Sequence, residues 1–321
     1  MDGIRRVYLP GGTKEKPIIY ESYPNEKVIF DGSKLSRKNT QNEIWREGRL
    51  ELRENYTYLR NVEVREMPQY GIKIWGNHNI VEGCKVYNNA LSGIQIFNYK
   101  DGYSVKPTGG SYNIIRDNLI FNNSDTGLKH HNYNDGGNAD GITVHSGVDN
   151  LIEHNTVYEN SDDGIDVWKS MGSKVFSNLI YKNGQGTYGD GYGVKLGGAP
   201  KDSPLGANAV ARYNISYRNR KSGFNVNGGK NVLIELNTAY NNGEYGYTLQ
   251  DDTKVLQNIA LANKLGDFGW SKGLEQSNNS WQLNQEIEFI SLDPMSEDFL
   301  RPRDNTKYKH LGAFGTKKNK E

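Results

Sequence analysis

Cysteine is almost absent from this chain: Cys84 is the single one among 321 residues, which excludes an intrachain disulfide. The sequence also has no apolar run near the roughly 20 residues that a membrane-spanning helix needs, so we expect no membrane partner. The net charge is only +1, whereas nucleic-acid-binding proteins usually carry a strong basic excess, so we expect no nucleic-acid partner. The first ten residues contain no apolar segment like that of a secretory signal peptide.

Apolar residues are scarce as well, at 35% of the chain, and the mean hydropathy is -0.79. Low hydropathy can indicate disorder, but disordered chains also lack aromatic residues and carry a large net charge. Here aromatic residues make up 11%, and tyrosine alone occurs 21 times. The composition therefore indicates a folded chain with much surface for its core, as in an elongated solenoid.

A pattern of the form Asn-x-x-aromatic-x-Asn recurs along the chain. Clear copies begin at Asn118, Asn155, Asn178, Asn214 and Asn237, with a degenerate copy at Asn258 and an earlier one at Cys84. From residue 84 the successive first positions are 34, 37, 23, 36, 23 and 21 residues apart. Three intervals are thus close to one basic period, and three carry an insertion. Asparagine recurring at the same turn predicts an inward ladder in which each side-chain amide bonds to the next coil.

Each unit also contains a short segment that begins with glycine and alternates apolar with polar residues. These segments start at Gly71, Gly93, Gly141, Gly164, Gly193, Gly223 and Gly246. Alternation of this kind is a strand signature. Short strands at a period near 22 residues, with almost no helical pattern, predict an all-β parallel β-helix.

The pattern predicts one domain over 1–315, with coils over 13–281, a C-terminal capping turn over 282–315 that covers the open end, and a disordered tail over 316–321. The segments 16–24 and 28–32 are predicted to be the first strands. The long intervals predict loops that bulge from one turn of the coil, over 99–110, 130–138, 184–190 and 201–206. Long excursions from a regular scaffold commonly form the functional cleft.

Aligning the glycine-initiated strands places one residue of each strand in a common outward row. The row consists of Lys73, Gln95, Thr143, Asp166, Lys195, Asn225 and Thr248. Side chains alternate between the two faces of a strand, so the apolar residues on either side of Asp166 and Lys195 should point inward. Asp166 and Lys195 are therefore expected to point outward, one coil apart.

Further acidic residues stand directly before the glycines. Asp140 precedes Gly141, and Asp162 and Asp163 precede Gly164, one coil later. Together with Asp166 they predict a cluster of four carboxylates, which would be costly without a cation. Calcium accepts irregular sets of carboxylate oxygens, so the sequence predicts a Ca²⁺ site at these four residues. The alternative is that the Asp-Asp-Gly164 segment is only a solvated polar turn.

Lys195 is the candidate base beside this predicted cation, although an outward lysine can also be merely a solvated surface residue. A nearby positive charge lowers the pKa of a lysine, and a neutral amine can remove a weakly acidic proton. A cation beside a base suits β-elimination from a uronic acid, because the cation neutralises the uronate carboxylate and acidifies the adjacent C5–H.

At these residues a family resemblance becomes specific. The segments Asn138-Ala-Asp-Gly141, Ser161-Asp-Asp-Gly-Ile-Asp-Val167 and Gly193-Val-Lys-Leu-Gly-Gly198 resemble polysaccharide lyase family 9, the pectate lyase 9 group. The segment 218–225 is similar to that family's following coil. The resemblance implies a right-handed parallel β-helix secreted by bacteria, with four aspartate ligands to calcium and a lysine base. These roles fall on Asp140, Asp162, Asp163, Asp166 and Lys195.

Other residues near the predicted cleft are candidates for substrate contact, each with a solvated or packing role as the alternative. They are His145, Lys169, Tyr188, Arg218, Arg220 and Lys221. His130, His131, Lys129 and Trp168 are further possibilities on the same grounds. Arginine suits bidentate recognition of a carboxylate, and aromatic rings can stack on sugars.

Two other classes of function stay open at this point. A β-helical glycoside hydrolase would use the clustered aspartates as acid and base, and gives Lys195 no necessary role. A non-catalytic glycan-binding or adhesin β-helix would bind an acidic polysaccharide without releasing product. For the lyase we expect a monomer whose partner is an acidic polysaccharide, acting outside the cell or in the periplasm, with the leader absent from this chain.

Overall fold

The computed structural model describes residues 7–35, 48–98, 109–128, 134–199, 205–269, 273–283, 286–303 and 308–316. In this part of the chain short strands, numbered in chain order, form three parallel sheets. Sheet A contains β1 (Val7–Leu9), β4 (Leu50–Leu52), β7 (Ile72–Ile74), β10 (Ile94–Ile96), β13 (Ile142–Val144), β16 (Ile165–Val167), β19 (Val194–Leu196), β22 (Phe224–Val226), β25 (Tyr245–Thr248) and β28 (Gly266–Gly269).

The other two sheets complete each coil. Sheet B contains β2 (Ile18–Glu21), β5 (Thr57–Arg60), β8 (Ile80–Glu82), β11 (Ile114–Arg116), β14 (Leu151–Glu153), β17 (Lys174–Phe176), β20 (Val210–Arg212), β23 (Val232–Glu235), β26 (Thr253–Leu256) and β29 (Glu275–Ser277). Sheet C contains β3 (Ile29–Asp31), β6 (Glu63–Arg65), β9 (Lys85–Tyr87), β12 (Leu119–Phe121), β15 (Thr156–Tyr158), β18 (Leu179–Tyr181), β21 (Ile215–Tyr217), β24 (Thr238–Tyr240) and β27 (Ile259–Leu261).

Each strand pairs with the strand one coil earlier and one coil later, so the chain winds as a parallel β-helix, as predicted. One apolar core cluster runs inside the coils, and its inward side chains, such as Ile142, Ile165 and Val194, are fully buried. The first strand, β1, lies before the predicted start of the coils. Two of its three residues are exposed and it has no glycine-initiated motif, so the repeat pattern does not reveal it.

Asparagine ladders stabilise two of the corners between sheets. One ladder runs through Asn118, Asn155, Asn178, Asn214, Asn237, Asn258 and Asn279. The other runs through Asn89, Asn123, Asn160, Asn183, Asn219, Asn242 and Asn263. In both, each side-chain amide donates to the carbonyl oxygen of the next side chain, which confirms the predicted inward ladder. The residue before each of these asparagines has a positive φ, which makes the sharp corner.

Removing one rung of a ladder should destabilise the fold strongly. The side-chain oxygen of Asn178 accepts bonds from the backbone N–H and the side chain of Asn155, at 2.9 and 3.0 Å. Asn178→Ala would leave these buried donors unpaired, so the free energy of unfolding should fall by about 3 kcal/mol. Asn55, an exposed asparagine that accepts one bond from the Asn77 N–H, is the matched control, and Asn55→Ala should cost less than about 0.5 kcal/mol in urea unfolding. Equal losses for the two variants would contradict a stabilising role of the ladder.

The C-terminal segment, residues 286–303 and 308–316, packs on the outer face of sheet C. Its buried apolar residues form a second cluster with Tyr217 and Ile259; they are Ile287, Phe289, Phe299, Leu300, Tyr308 and Leu311. The ring of Trp281 lies against Tyr247 and Phe268, at the end of the main core. The predicted domain, cap and tail boundaries stay a prediction, and residues 317–321 lie outside the described residues. Among the described residues, no helix has the length and apolarity to cross a membrane.

Candidate active site

The outward face of sheet A carries a row of polar side chains. Strand pairing aligns Lys73 with Gln95, Gln95 with Thr143, and Thr143 with Asp166. It then aligns Asp166 with Lys195, and Lys195 with Asn225. The apolar neighbours of each row member point into the core, as the alternation of apolar and polar residues requires. The predicted register is therefore confirmed, because a constant period stacks equivalent positions of successive coils.

Three of the predicted ligands meet beside this row. One carboxylate oxygen each from Asp140, Asp162 and Asp163 lies within 4.8 Å of the others. All three residues are in the corner between sheets C and A, two or three residues before β13 or β16, and Asp163 is completely buried. A buried triad of carboxylates at this spacing could bind a metal ion.

Hydrogen bonds fix the orientation of each carboxylate in the triad. Asp140 Oδ1 accepts a bond from the backbone N–H of Asp163 at 3.0 Å. Asp163 Oδ1 accepts one from the Tyr192 N–H at 2.7 Å, and Asp162 Oδ1 accepts one from the Asp190 N–H at 2.5 Å. The second oxygens of Asp140 and Asp163 are engaged as well: Asp140 Oδ2 lies 2.8 Å from the Thr143 hydroxyl, and Asp163 Oδ2 lies 3.1 Å from the Lys195 ammonium.

Lys195 lies against the triad. Its ammonium nitrogen is 3.1 Å from Asp163 Oδ2 and 3.1 Å from Asp190 Oδ2. The Oδ2 atom of Asp166 is 4.0 Å from the same nitrogen and 4.0 Å from His145 Nε2. Asp166 is therefore not a member of the tight triad, but lies between Lys195, one coil later, and His145, one coil earlier.

Burial and mutual repulsion make the triad unfavourable in its ionised form. Burial raises the pKa of the Asp140 and Asp162 carboxyls, and neighbouring carboxylates raise it further. Burial also raises the pKa of Asp163, although the Lys195 ammonium opposes this rise. Burial by itself would lower the pKa of Lys195, but the carboxylates of Asp163 and Asp166 raise it above its usual range. The lowered pKa expected for Lys195 therefore requires a further positive charge beside it.

The donor set fits a hard divalent cation. The triad offers only carboxylate oxygens, which are the ligands that such cations prefer. Nearby, the buried Oδ1 atom of Asp166 has no hydrogen-bond partner among the described residues. A buried carboxylate oxygen without a partner is costly, and a cation or its water ligands would satisfy it. Asp140, Asp162 and Asp163 would hold the ion, with Asp166 as the fourth predicted ligand.

The triad opens into a cleft of about 530 Å³ that follows the row along sheet A. Its lining extends from Lys195 and Asn227 past Asp166 and Gln95 to Tyr70. Trp168 also lines the cleft, and its ring packs edge-on against His145 with 5.2 Å between ring centres. A groove several coils long suits an extended polymer better than a compact small molecule.

Of the six predicted substrate-contact residues, His145 lines this cleft. Lys169 is buried, with its ammonium 3.5 Å from the centre of the Trp168 ring. Arg220 donates to the backbone oxygens of Gly186 and Gly189, at 2.6 and 3.2 Å.

The remaining three candidates, Lys221, Arg218 and Tyr188, are not among the residues that line the cleft. Lys221 forms a 2.7 Å ion pair with Asp190. Arg218 is exposed at a positive-φ corner position, and Tyr188 is 61% exposed. Substrate contact by these residues stays a prediction, and Lys129, His130 and His131 lie outside the described residues.

Two residues of the site were missed by sequence reasoning. Asp190 links Lys195 to Lys221 and gives its backbone N–H to Asp162. A signal existed, because Asp190 precedes Gly191 as the other acids precede their glycines, but Asp190 lies in an insertion outside the strand alignment. Ser92 was missed because a serine before a glycine carries no distinctive signal; its hydroxyl accepts bonds from Thr143 at 2.8 Å and from the Asp140 N–H at 3.2 Å.

Solved structures share this architecture. The crystal structure of pectate lyase Pel9A matches with a TM-score of 0.73 and 23% identity, over 94% of this chain and 76% of that chain. A rhamnogalacturonan lyase matches with a TM-score of 0.75 and 21% identity, over 96% of this chain and 85% of that chain. An alginate lyase from Paenibacillus sp. str. FPU-7 matches with a TM-score of 0.57 and 20% identity, over 86% of this chain and 88% of that chain. At such identities the likeness establishes the fold.

Among curated protein sequences, none matches this chain significantly. A family model does match, and it is described as "Pel9A-like, right handed beta helix region". It covers residues 5–278, which include every described strand and every residue of the candidate site. The match also confirms the predicted right-handed winding. This chain therefore belongs to the Pel9A-like family of right-handed parallel β-helix proteins.

Proposed function

We propose that the protein is a polysaccharide lyase that cleaves a uronate-containing polysaccharide by Ca²⁺-assisted β-elimination. The observation that supports this most directly is the placement of Lys195, whose ammonium lies 3.1 Å from a carboxylate of the buried triad. A potential base therefore stands beside a potential cation site, in a cleft long enough for a polymer. The relatives named above act on pectate, rhamnogalacturonan or alginate, which are all polymers that contain uronate.

In the proposed reaction Lys195 removes the proton from C5 of a uronate sugar. The electron pair of that C–H bond forms a double bond between C4 and C5, and the bond from C4 to the glycosidic oxygen breaks. The oxygen leaves with its electron pair and takes a proton from solvent, which leaves a 4,5-unsaturated uronate end. When bound at the triad, Ca²⁺ would neutralise the uronate carboxylate and so acidify the C5–H.

Lys195 must lose its own proton before it can act as a base. Asp163 and Asp190 hold that proton by accepting bonds from the ammonium. When a cation is bound at the triad, Asp163 would direct its charge to that cation, and this would weaken its hold on the Lys195 proton. Because Asp190 still faces Lys195, we expect activity to rise with pH and to be highest above neutrality.

A panel of acidic polysaccharides tests the proposal. Polygalacturonate, rhamnogalacturonan, alginate and glycosaminoglycans would each be digested with Ca²⁺, and the ultraviolet absorbance of the conjugated product recorded. We expect this absorbance with at least one polymer. Reducing ends without the absorbance would indicate a hydrolase using Asp140, Asp162 or Asp163, and binding without any product would indicate a glycan-binding protein.

The proposed substrate also bears on location. Polymers of this kind occur outside the cytoplasm, so we propose that the protein acts in the periplasm or outside the cell.

A further inference from the structure

A second lysine, Lys73, lies in the same cleft, far from the triad. Lys73 is on β7, three rungs of sheet A before Asp166, which corresponds to about 14 Å at the usual strand spacing. Its side chain is only 3% exposed, yet it lines the cleft. Lys73 therefore cannot be the base at the triad, and its burial needs another explanation.

Three aromatic rings surround the Lys73 ammonium. The nitrogen is 4.7 Å from the centre of the Trp75 ring, 4.9 Å from that of Tyr70 and 5.3 Å from that of Phe97. Ring faces attract a cation, and this attraction grows when water is excluded. The three rings thus hold the ammonium in one position, beside the cleft that the Lys73 side chain lines.

The acidic neighbour of Lys73 is already paired with other cations. Glu51, on the preceding rung of sheet A, binds Arg49 at 2.6 Å and Arg53 at 2.5 Å. Within the described parts of the chain, no ion pair or hydrogen bond of the Lys73 ammonium is present. Burial, followed by the charge of Arg49, lowers the pKa of Lys73 to about 7. An arriving anion would supply the missing partner and stabilise the charged form.

The rung between Lys73 and the triad is also polar. Gln95 is 4% exposed and lines the cleft, and its side-chain oxygen has no hydrogen-bond partner among the described residues. A buried amide of this kind is costly unless a ligand hydroxyl completes its bonds. The cleft therefore continues from the triad to Lys73 as a polar track.

We propose that Lys73, within the box of Tyr70, Trp75 and Phe97, is a second anion-binding subsite that takes the carboxylate of a uronate sugar remote from the scissile bond. The identity of the polymer rests on the proposed function, whereas the anion subsite does not. The polymer would run along the axis of the β-helix, with Gln95 donating to or accepting from a hydroxyl between the two sites. A short oligomer bound at the triad would not reach Lys73.

Lys73→Met tests this, because methionine keeps the apolar stem and removes the charge. Lys85→Met is the matched control: the Lys85 ammonium also lies over two rings, Tyr87 at 4.9 Å and Phe121 at 5.5 Å, but on the outer face of sheet C. Binding of galacturonate oligomers of increasing length, with alginate oligomers in a parallel series, would be measured by calorimetry. We expect Lys73→Met to lower the affinity for long oligomers about tenfold or more and to leave the affinity for the shortest bound oligomer unchanged. Lys85→Met should change neither, and Lys73→Arg should retain most of the affinity.

Several outcomes would overturn the subsite. These are unchanged binding of long oligomers by Lys73→Met, equal weakening of short and long oligomers, and failure of every oligomer to bind the unmodified protein. A fully methyl-esterified galacturonate polymer should not distinguish Lys73→Met from the unmodified protein, and a difference there would also count against recognition of a carboxylate. Length-dependent binding through Lys73 without unsaturated product would contradict the lyase proposal and leave the subsite standing. If Lys73→Met formed unsaturated product with an unchanged KM, the lyase proposal would stand and the subsite at Lys73 would be contradicted.

Discussion

Replacement of Lys195 by alanine is expected to lower kcat by about a thousandfold on whichever uronate polymer gives product. The reason is the proposed role of Lys195 as the group that takes the C5 proton, since its ammonium lies 3.1 Å from the triad that would hold the cation. Binding of the polymer should change little, because the loss concerns the transition state. The rate of formation of the unsaturated product and the KM, measured over a pH series, would separate the two effects.

Calcium binding provides the check that this loss is not a collapse of the site. Lys195 places a positive charge against Asp163 and Asp190, so Lys195→Ala should bind Ca²⁺ at least as tightly as the unmodified protein. The control is Lys174→Ala, which removes an exposed lysine from β17 of sheet B and should leave the rate unchanged. Retention of more than a few per cent of the rate by Lys195→Ala would refute its role as the base.

Removal of calcium is expected to abolish activity and to destabilise the protein in a pH-dependent way. The pKa of each triad carboxyl is raised by burial, so the folded state binds more protons than the unfolded state, whose carboxyls titrate near pH 3.9. Without metal, the contribution of these groups is most favourable when they are protonated, and stability falls as pH rises through their raised pKa values. Metal binding requires the ionised form, so Ca²⁺ should stabilise the fold more at pH 8 than at pH 5.

Thermal unfolding with Ca²⁺ and with chelator, at both pH values, measures this effect. A Ca²⁺ concentration a hundredfold above Kd corresponds to about 2.7 kcal/mol of stabilisation. Asp163→Asn should lose most of the calcium effect and the activity. Asp117→Asn alters an exposed acid at a positive-φ corner, which asparagine also tolerates, and should lose neither. An equal calcium effect at pH 5 and pH 8, or full activity in chelator, would contradict a carboxylate metal site.

Much of the site could be predicted because a solenoid converts sequence spacing into spatial order. Asp166 and Lys195 occupy the same position in consecutive units, and their strands pair at these two residues. Asp140 and Asp163 likewise stand before equivalent glycines of consecutive units, and the carboxyl groups of both belong to the triad. A one-residue error in the alignment would have turned these side chains into the core, so the apolar residues on either side fixed the register.

The insertions carry no such periodic information. Asp190 contacts both Lys195 and Lys221, but it stands in the longer interval before β19, where no equivalent residue in another coil indicates its direction. The aromatic box of Lys73 was missed for a related reason. Its rings come from the corner before β7, from the residue after β7 and from the residue after β10, so their convergence depends on the path of the chain between strands.

The sequence by itself determined the parallel β-helix, the inward stacking of asparagines and the row of side chains along sheet A, because each depends on a period that the coils preserve. Only the tertiary structure decided how deeply Asp140, Asp162 and Asp163 are buried, that Asp166 faces Lys195 outside the tight triad, and that the C-terminal segment packs on sheet C. These features depend on the conformations of corners and insertions and on contacts between distant segments. Such contacts depend on packing in three dimensions, which the period of a sequence repeat does not specify.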